Sequence, residues 1–401
     1  MISPDPLVLA QRQIARDREA TRAFPALLAR KVKRMAESPL AYLRGTVPLY
    51  YGLLAEHPEL AEGPAGEGWL VGDAHLENFG AFRSADADGT ESVVFDVNDF
   101  DEAIVGPFRW DVVRLLTSVI LAGRELGSDG RQSVALCSAI LGGYGRALFS
   151  SERLGTAPPP VLRLLEKVDQ RSHKDLLAQR TERAAGGRRF LRGDHYEDLA
   201  PDLVPKARAA FQRYVERLDP SRSLARAHFE IDDVAFRIAG CGSLGGLRIA
   251  VLTQGKGNVD NNWVFDMKAE GMPSAQALLE VSDQEPAERV RSATQECLAH
   301  PPRMMGTSDL DELSLFVRRL LPQEDKLDLL HLGADELPAL AQYLGALLGR
   351  AHARGAKSLP KQSWTRAELT VLTDHAIVIA GLHEAAYLAM CRSLCGDNST
   401  A

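Results

Sequence analysis

Gly72-Asp73-Ala74-His75-Leu76-Glu77-Asn78-Phe79-Gly80 sets an aspartate five residues ahead of an asparagine, and Val94-Phe95-Asp96-Val97-Asn98-Asp99-Phe100-Asp101-Glu102 follows closely. Phosphoryl transfer asks for this combination. One carboxylate takes or orients the proton of the attacking hydroxyl, while an amide oxygen and a second carboxylate hold the magnesium that bridges the nucleotide phosphates. In that scheme Asp73 is the base and Asn78 one metal ligand, with Asp96 and Asp99 as candidates for the other. The same residues have plainer uses, because Asp and Asn favour turns and helix N-caps. His75 has no second histidine at ligand spacing and reads as a packed or exposed imidazole. Asp101 and Glu102 read as facing solvent or capping the next segment. A calcium loop does not fit, for want of alternating oxygen ligands, a mid-loop glycine and a final glutamate in register.

A second group lies far behind. Gly240, Gly242 and Gly245, with Ser243 between them, follow one strand-like segment and precede another. A dinucleotide-binding turn would open a helix after its third glycine. A turn between strands instead suits a flap whose backbone N–H groups cover phosphates. An ordinary glycine-rich hairpin is the plainer alternative. Lys268 lies on the next strand but one, where a phosphate-gripping lysine belongs.

The elements that must position these residues follow from periodicity. Residues 6–62 carry apolar positions at helical spacing with basic residues between them, which predicts helices with solvated faces. Segments 79–82 and 92–95 predict the arms of a hairpin around a turn at 86–90. Residues 108–225 read as mostly helical, interrupted by Pro158-Pro159-Pro160 and by a basic, glycine-containing loop at 184–189. Strands are expected at 234–238, 247–252 and 263–268, with a turn at 254–258. Helices return from about 273, broken by one short strand at 313–318.

Composition bounds the rest. The 401 residues, 45% hydrophobic and 25% charged, describe an ordinary globular chain. A net charge of −7 argues against a nucleic-acid-coating protein. Five scattered cysteines offer no zinc pattern and fit reduced thiols. No signal-peptide pattern and no apolar run of membrane-spanning length is read, so a cytoplasmic location is expected.

Several of these stretches together resemble the uncharacterised bacterial family called domain of unknown function 2252, over about residues 30–390. They are Arg34-Met35-Ala36-Glu37-Ser38-Pro39-Leu40-Ala41-Tyr42-Leu43-Arg44-Gly45, the Gly72–Gly80 motif, Asn98-Asp99-Phe100-Asp101-Glu102, Gly106-Pro107-Phe108-Arg109-Trp110-Asp111 and Gly240-Cys241-Gly242-Ser243-Leu244-Gly245. That resemblance implies no activity. A more distant one does. Asp73 to Asn78 is similar to the catalytic loop of aminoglycoside-phosphotransferase-like kinases. Asp99 to Pro107, followed by Asp111, looks like their metal-binding segment and the aspartate that anchors the next helix. The likeness implies that Asp99 rather than Asp96 is the main metal ligand. Val71 departs from it, since a histidine usually stands two residues before the catalytic aspartate.

In ordinary kinases the flap and lysine precede the catalytic loop, whereas here they follow it. Leu344-Gly345-Ala346-Leu347-Leu348-Gly349-Arg350-Ala351-His352-Ala353-Arg354-Gly355 looks like the helix that normally leads into that loop. The expectation is a circularly permuted, bilobal α+β kinase-like fold. Residues 1–228 would hold the catalytic and metal loops, 229–322 a β-rich nucleotide-binding region, and 323–401 helices returning to the first part. The lysine needs an acidic partner on the following helix, and Glu288 has suitable spacing among Glu280, Glu285, Glu288 and Glu296. Arg109 and Arg114 read as structural partners of Asp111, with contact to substrate anions as the alternative.

The expected function is ATP- and Mg²⁺-dependent transfer of the γ-phosphoryl group to a hydroxyl of a small molecule or protein. Three alternatives use the same residues: a non-catalytic pseudokinase module, a nucleotidyl transferase, and a metal hydrolase built on Asp73, His75, Asp96 and Asp99 with Lys268 remote.

Overall fold

Proline in the first helical turn, where its missing N–H leaves no bond unmade, punctuates the start of the chain. The computed structural model describes residues 4–397 apart from 23, 86–90, 124, 151–153, 185–186, 219–224, 240–245, 258–259 and 280–282. It opens on α1 (Pro6–Ala20), α2 (Ala26–Met35), α3 (Pro39–Gly45), α4 (Val47–Glu56) and α5 (Pro58–Ala61). Asp5 and Ser38 cap α1 and α3 by accepting from the backbone N–H of Leu7 and Ala41.

β1 (Glu67–Leu70) follows, then the expected hairpin of β2 (Phe79–Ala85) and β3 (Glu91–Val97), β4 (Ile104–Pro107) and α6 (Phe108–Ala122). Next come α7 (Gly130–Phe149), α8 (Pro159–Asp169) and α9 (His173–Arg180). The basic stretch read as a loop instead forms the hairpin β5 (Thr181–Ala184) and β6 (Gly187–Phe190). It does so because Thr181 and Phe190 are buried, while Arg189 pairs across the strands with Glu182. β7 (Tyr196–Glu197) and α10 (Leu203–Arg217) complete the first half.

The second half begins with β8 (Ile231–Arg237), β9 (Arg248–Thr253) and β10 (Trp263–Glu270), then α11 (Pro286–Cys297). The short strand expected at 313–318 is part of a hairpin, β11 (Gly306–Leu310) and β12 (Leu313–Leu320), reversed at Asp311 with φ of 52°. β13 (Asp325–Lys326), α12 (Leu337–Arg354), β14 (Ala356–Ser358) and α13 (Arg366–Asp397) end the chain.

The fold is therefore a mixed α+β one. Its largest sheet runs β11-β12-β10-β9-β8-β7 with every pair antiparallel. Strand alternation gives this sheet two unlike faces. Phe236, Ile249, Val251, Phe265, Met267 and Val317 bury one face against Phe211 and Tyr214 of α10. The other face carries Arg237, Arg248, Asp266, Lys268, Phe316 and Arg318, because Lys268 stands opposite Arg248 and Phe316, and Asp266 opposite Arg318.

A larger core unites β1–β4 with α6, α7, α11 and α12. The two ends of the chain meet where Leu9 and Ala10 of α1 pack with Ala386, Ala389 and Met390 of α13. By length and composition α13 is apolar enough to cross a membrane, with 33% of its most apolar window buried. It is not an uninterrupted apolar run, since residues such as Asp374, His375, His383 and Glu384 are spread along it.

Candidate functional site

The Gly72–Gly80 loop is held from behind by α6. Asp111 in its first turn is fully buried and accepts from the backbone N–H of Val71 at 2.6 Å and of Gly72 at 3.0 Å. His352 Nε2 of α12 lies 3.1 Å from the same carboxylate, and the Tyr144 hydroxyl lies 2.8 Å from His352 Nδ1. Gly72 turns here with φ of +82°, and a Cβ would meet the Glu102 carbonyl at 1.9 Å, so only glycine fits. These contacts fix the backbone that presents Asp73.

Asp73 Oδ1 accepts from Arg114 Nε at 2.7 Å and from its Nη2. Arg114, fully buried, also donates to the Leu43 carbonyl and lies over the Tyr50 ring. The pairing with Asp73 replaces the expected one with Asp111. Arg109 likewise leaves Asp111 alone and donates to the carbonyls of Ala61 and Pro64. Burial pushes the Asp73 carboxyl up to about 7, Arg114 opposes this, and the nearby Glu102 and Asp99 charges reinforce it.

His75 lines the same cavity, with its Nε2 3.7 Å from Asp73 Oδ2. Its Nδ1 accepts from the Glu77 N–H, which leaves the ring proton on Nε2, toward Asp73. Burial, Arg44 and Lys326 all hold the ring neutral. An imidazole set aside on spacing alone is thus part of the site.

Asn78 is buried, and its Nδ2 donates to the carbonyls of Asp73 and Asp99, both at 3.1 Å. Two carbonyl acceptors fix the amide orientation, so Oδ1 points the other way, and it has no hydrogen-bond partner. A buried amide oxygen left without a partner fits a cation ligand. Among the described residues no three His, Cys, Asp or Glu side chains gather in metal-binding geometry. One amide and one carboxylate, Asn78 and Asp99, is the sparse protein set that magnesium uses with phosphates. Asp96 stands apart: its carboxylate accepts from the Val97 N–H, and Arg354 is its nearby cation. Asp99 lies past the end of β3, in the segment that follows it, and Asp96 does not line either cavity that Asp99 lines.

A cavity of about 410 Å³ gathers Asp73, His75, Asp99, Asp101, Lys268 and Lys326. A neighbouring one of about 330 Å³ shares Asp99, Asp101, Lys268 and Lys326 with it and extends over Asp266 and Arg318. Lys268 pairs with Asp101 and, at 3.4 Å, with Glu270. Glu288 does not reach it and pairs with Arg291 one turn along α11. The position was right for a helix after the lysine strand, but α11 turns Val290 and Thr294 toward the cleft. Asp101 and Glu102 are corrected as well. Asp101 meets Lys268, and Glu102 accepts from the Ser274 N–H at 2.6 Å inside the cavity. Arg289 ties these pieces together by donating to the carbonyls of Ala103, Asp101 and Gly271.

Further along the sheet, Asp266 is bound by Arg248 through two nitrogens and lies 2.7 Å from Arg237 Nη1. Arg237, Arg248 and Arg318 hold its carboxyl far below the usual range despite burial. Past this cluster, a cavity of about 370 Å³ is bordered by Val264, Leu320, Leu321 and Pro322. Gly240, Gly242, Ser243 and Gly245 lie outside the described residues, and Gly246 just after them lines the main cavity.

Comparison with known proteins gives one result. No curated protein and no solved structure matches the chain. A family model does match, over residues 22–391, and by it the chain belongs to the uncharacterised proteins conserved in bacteria known as DUF2252.

Proposed function

We propose that the protein is an ATP- and magnesium-dependent phosphotransferase of permuted kinase-like architecture that moves the γ-phosphoryl group to a hydroxyl. The observation that carries this reading is the shared cavity. Asp73 and Asp99 from the first quarter of the chain meet Lys268 from the second half there, and Asn78, whose Nδ2 holds the backbone carbonyls of both acids, keeps its Oδ1 unpaired. The hydrolase alternative asked for a remote Lys268 and a convergent Asp96, and the geometry favours neither. The order of elements supports permutation. Lys268 sits on the third strand of the β8-β9-β10 meander with α11 after it, α12 runs into β14 beside β1, and the first and last helices pack together.

In this reading Asp73 Oδ2 takes the acceptor hydroxyl proton as the new O–P bond forms and the bond to ADP breaks. Arg114 holds the other oxygen, which fixes the carboxylate plane. Asn78 Oδ1 and Asp99 would hold magnesium, whose charge offsets that of the phosphates. Lys268 would grip the phosphates once its bond to Asp101 is exchanged for them. ATP chemistry and free cysteines suit the cytoplasm.

The direct test is thermal unfolding with and without magnesium–ATP, followed by label transfer from ATP labelled at the α or γ phosphate. A ligand at a hundred times its Kd adds about 2.7 kcal/mol of stability. Transfer of γ-label to a metabolite pool is the expected result. Retention of α-label on an acceptor would instead indicate nucleotidyl transfer, and binding without turnover a pseudokinase.

The raised Asp73 carboxyl gives a second expectation. Plotted against pH, kcat/KM rises with a limb near the free-enzyme value of about 7, because Asp73 must be ionised to accept a proton. Linkage has the opposite sign for stability. A carboxyl raised in the folded state favours folding below its unfolded pKa near 4, and that contribution is lost as pH rises through 7. Asp73→Asn should remove both slopes, and a limb that survives in that variant assigns it to another group.

A further inference from the structure

The cavity around Asp73 has more to say about the acceptor. Its outer wall is made by the N-terminal helices, with Arg16 and Lys31 of α1 and α2 and Arg44 of α3 lining it. At about 410 Å³ and roofed by helices, it has the size of a small-molecule site. Most of its cations are matched. Lys31 pairs with Asp17, Lys268 with Asp101, and Arg248 with Asp266.

Two are not. Among the described residues neither Arg16 nor Lys326 forms an ion pair: Arg16 donates to the Pro48 carbonyl, and Lys326 feels the charges of Asp99, Glu77 and Asp73 only at longer range. Arg44 pairs with Glu77 at 2.6 Å, yet its buried Nε has no acceptor. Lys326 and Arg44 line the same cavity as Asp73 and His75, and both act electrostatically on the His75 ring. Donors and positive charge left open in a cleft call for an anion.

We infer, resting on the phosphotransferase reading, that the acceptor is a small molecule carrying a phosphate or carboxylate. Lys326, Arg44 and Arg16 hold that group while its hydroxyl reaches Asp73. Phosphate and carboxylate present the same charge-assisted acceptor oxygens, so both fit the recognition. Glu77 already takes Nη1 of Arg44, and Lys326 adds a flexible point charge to the group.

The test begins with binding, independently of turnover. The full chain is titrated by calorimetry with glycerol, glycerate and glycerol phosphate, with and without magnesium–ATP. The expected result is that at least one anionic probe binds ten-fold or more tighter than glycerol. Lys326→Gln and Arg16→Gln should each erase much of that ratio, and Arg16→Gln should leave magnesium–ATP affinity within about two-fold. In label transfer, Lys326→Gln should raise KM for the anionic acceptor far more than it lowers kcat. Equal binding of glycerol and both anions, or a ratio that neither variant changes, overturns the inference even if magnesium–ATP protects the protein. Loss of the nucleotide effect with anion binding intact and dependent on Arg16 and Lys326 would sink the kinase reading while upholding the anion site.

Discussion

An Asp73→Asn enzyme should bind magnesium–ATP like the parent and turn over about a hundred- to ten-thousand-fold more slowly, the usual contribution of a positioned general base. Asparagine is the informative replacement. Its amide oxygen can still accept from Arg114, so the buried guanidinium keeps a partner and the fold is spared. Alanine would leave Arg114 with only the Leu43 carbonyl and mix lost stability with lost chemistry. Initial rates with γ-labelled ATP and calorimetric nucleotide binding separate the two. A variant within ten-fold of the parent rate removes Asp73 as the base. If nucleotide affinity collapses as well, the carboxylate serves binding rather than proton transfer.

The second large effect concerns the sheet. Asp266→Ala should destabilise the protein by about 3–5 kcal/mol, the range for breaking a buried ion pair from one side. The carboxylate is almost fully buried and is the only ion-paired partner of Arg237 and Arg248 among the described residues, whereas Arg318 also has Glu324. Removing it leaves like charges facing one another in a half-buried cleft. Equilibrium denaturation at pH 7 measures the loss, with Asp266→Asn as a milder companion. The strongly depressed Asp266 carboxyl favours folding above the unfolded value near 4, and this contribution disappears as pH falls toward its folded value. The Asn variant should therefore flatten the acid side of the stability profile. A change below about 1 kcal/mol for Asp266→Ala would mean that the arginines find other partners.

What could be read in the sequence divides along a physical line. The Asp73–Asn78 loop stood out because an aspartate and an asparagine fall within one short stretch, and the structure brings Asp73 to one cavity with Asp99 and Lys268. The strands around Lys268 were legible because a two-faced sheet imposes alternation. Partner choice between distant side chains was not. Arg114 reaches Asp73 rather than Asp111 because α6 is anchored through Asp111 to the backbone of Val71 and Gly72, which turns the next helical turn toward Asp73. Nothing local in Phe108–Ala122 states that. Glu288 failed for a related reason, since which face of α11 meets the cleft depends on how Ala287, Val290 and Ala293 pack. Asp266 did carry a readable signal. Alternation puts it on the face of Lys268, away from Phe265 and Met267, and an acid there implies cations on the neighbouring strands.

That same acid, wrapped in guanidinium groups, bears on chemical intervention. Compounds that occupy nucleotide clefts through a flat ring system depend on an apolar slot. Here the cavity that reaches Asp99 offers Phe82, Phe100, Val290, Leu298, Met305 and Phe316 as apolar lining, together with the charged row of Arg237, Arg248, Asp266 and Arg318. A ring that covered that row without pairing its ions would strip their water without repayment. A selective inhibitor for this cleft should therefore join an apolar ring to a polar edge that hydrogen-bonds the charged row.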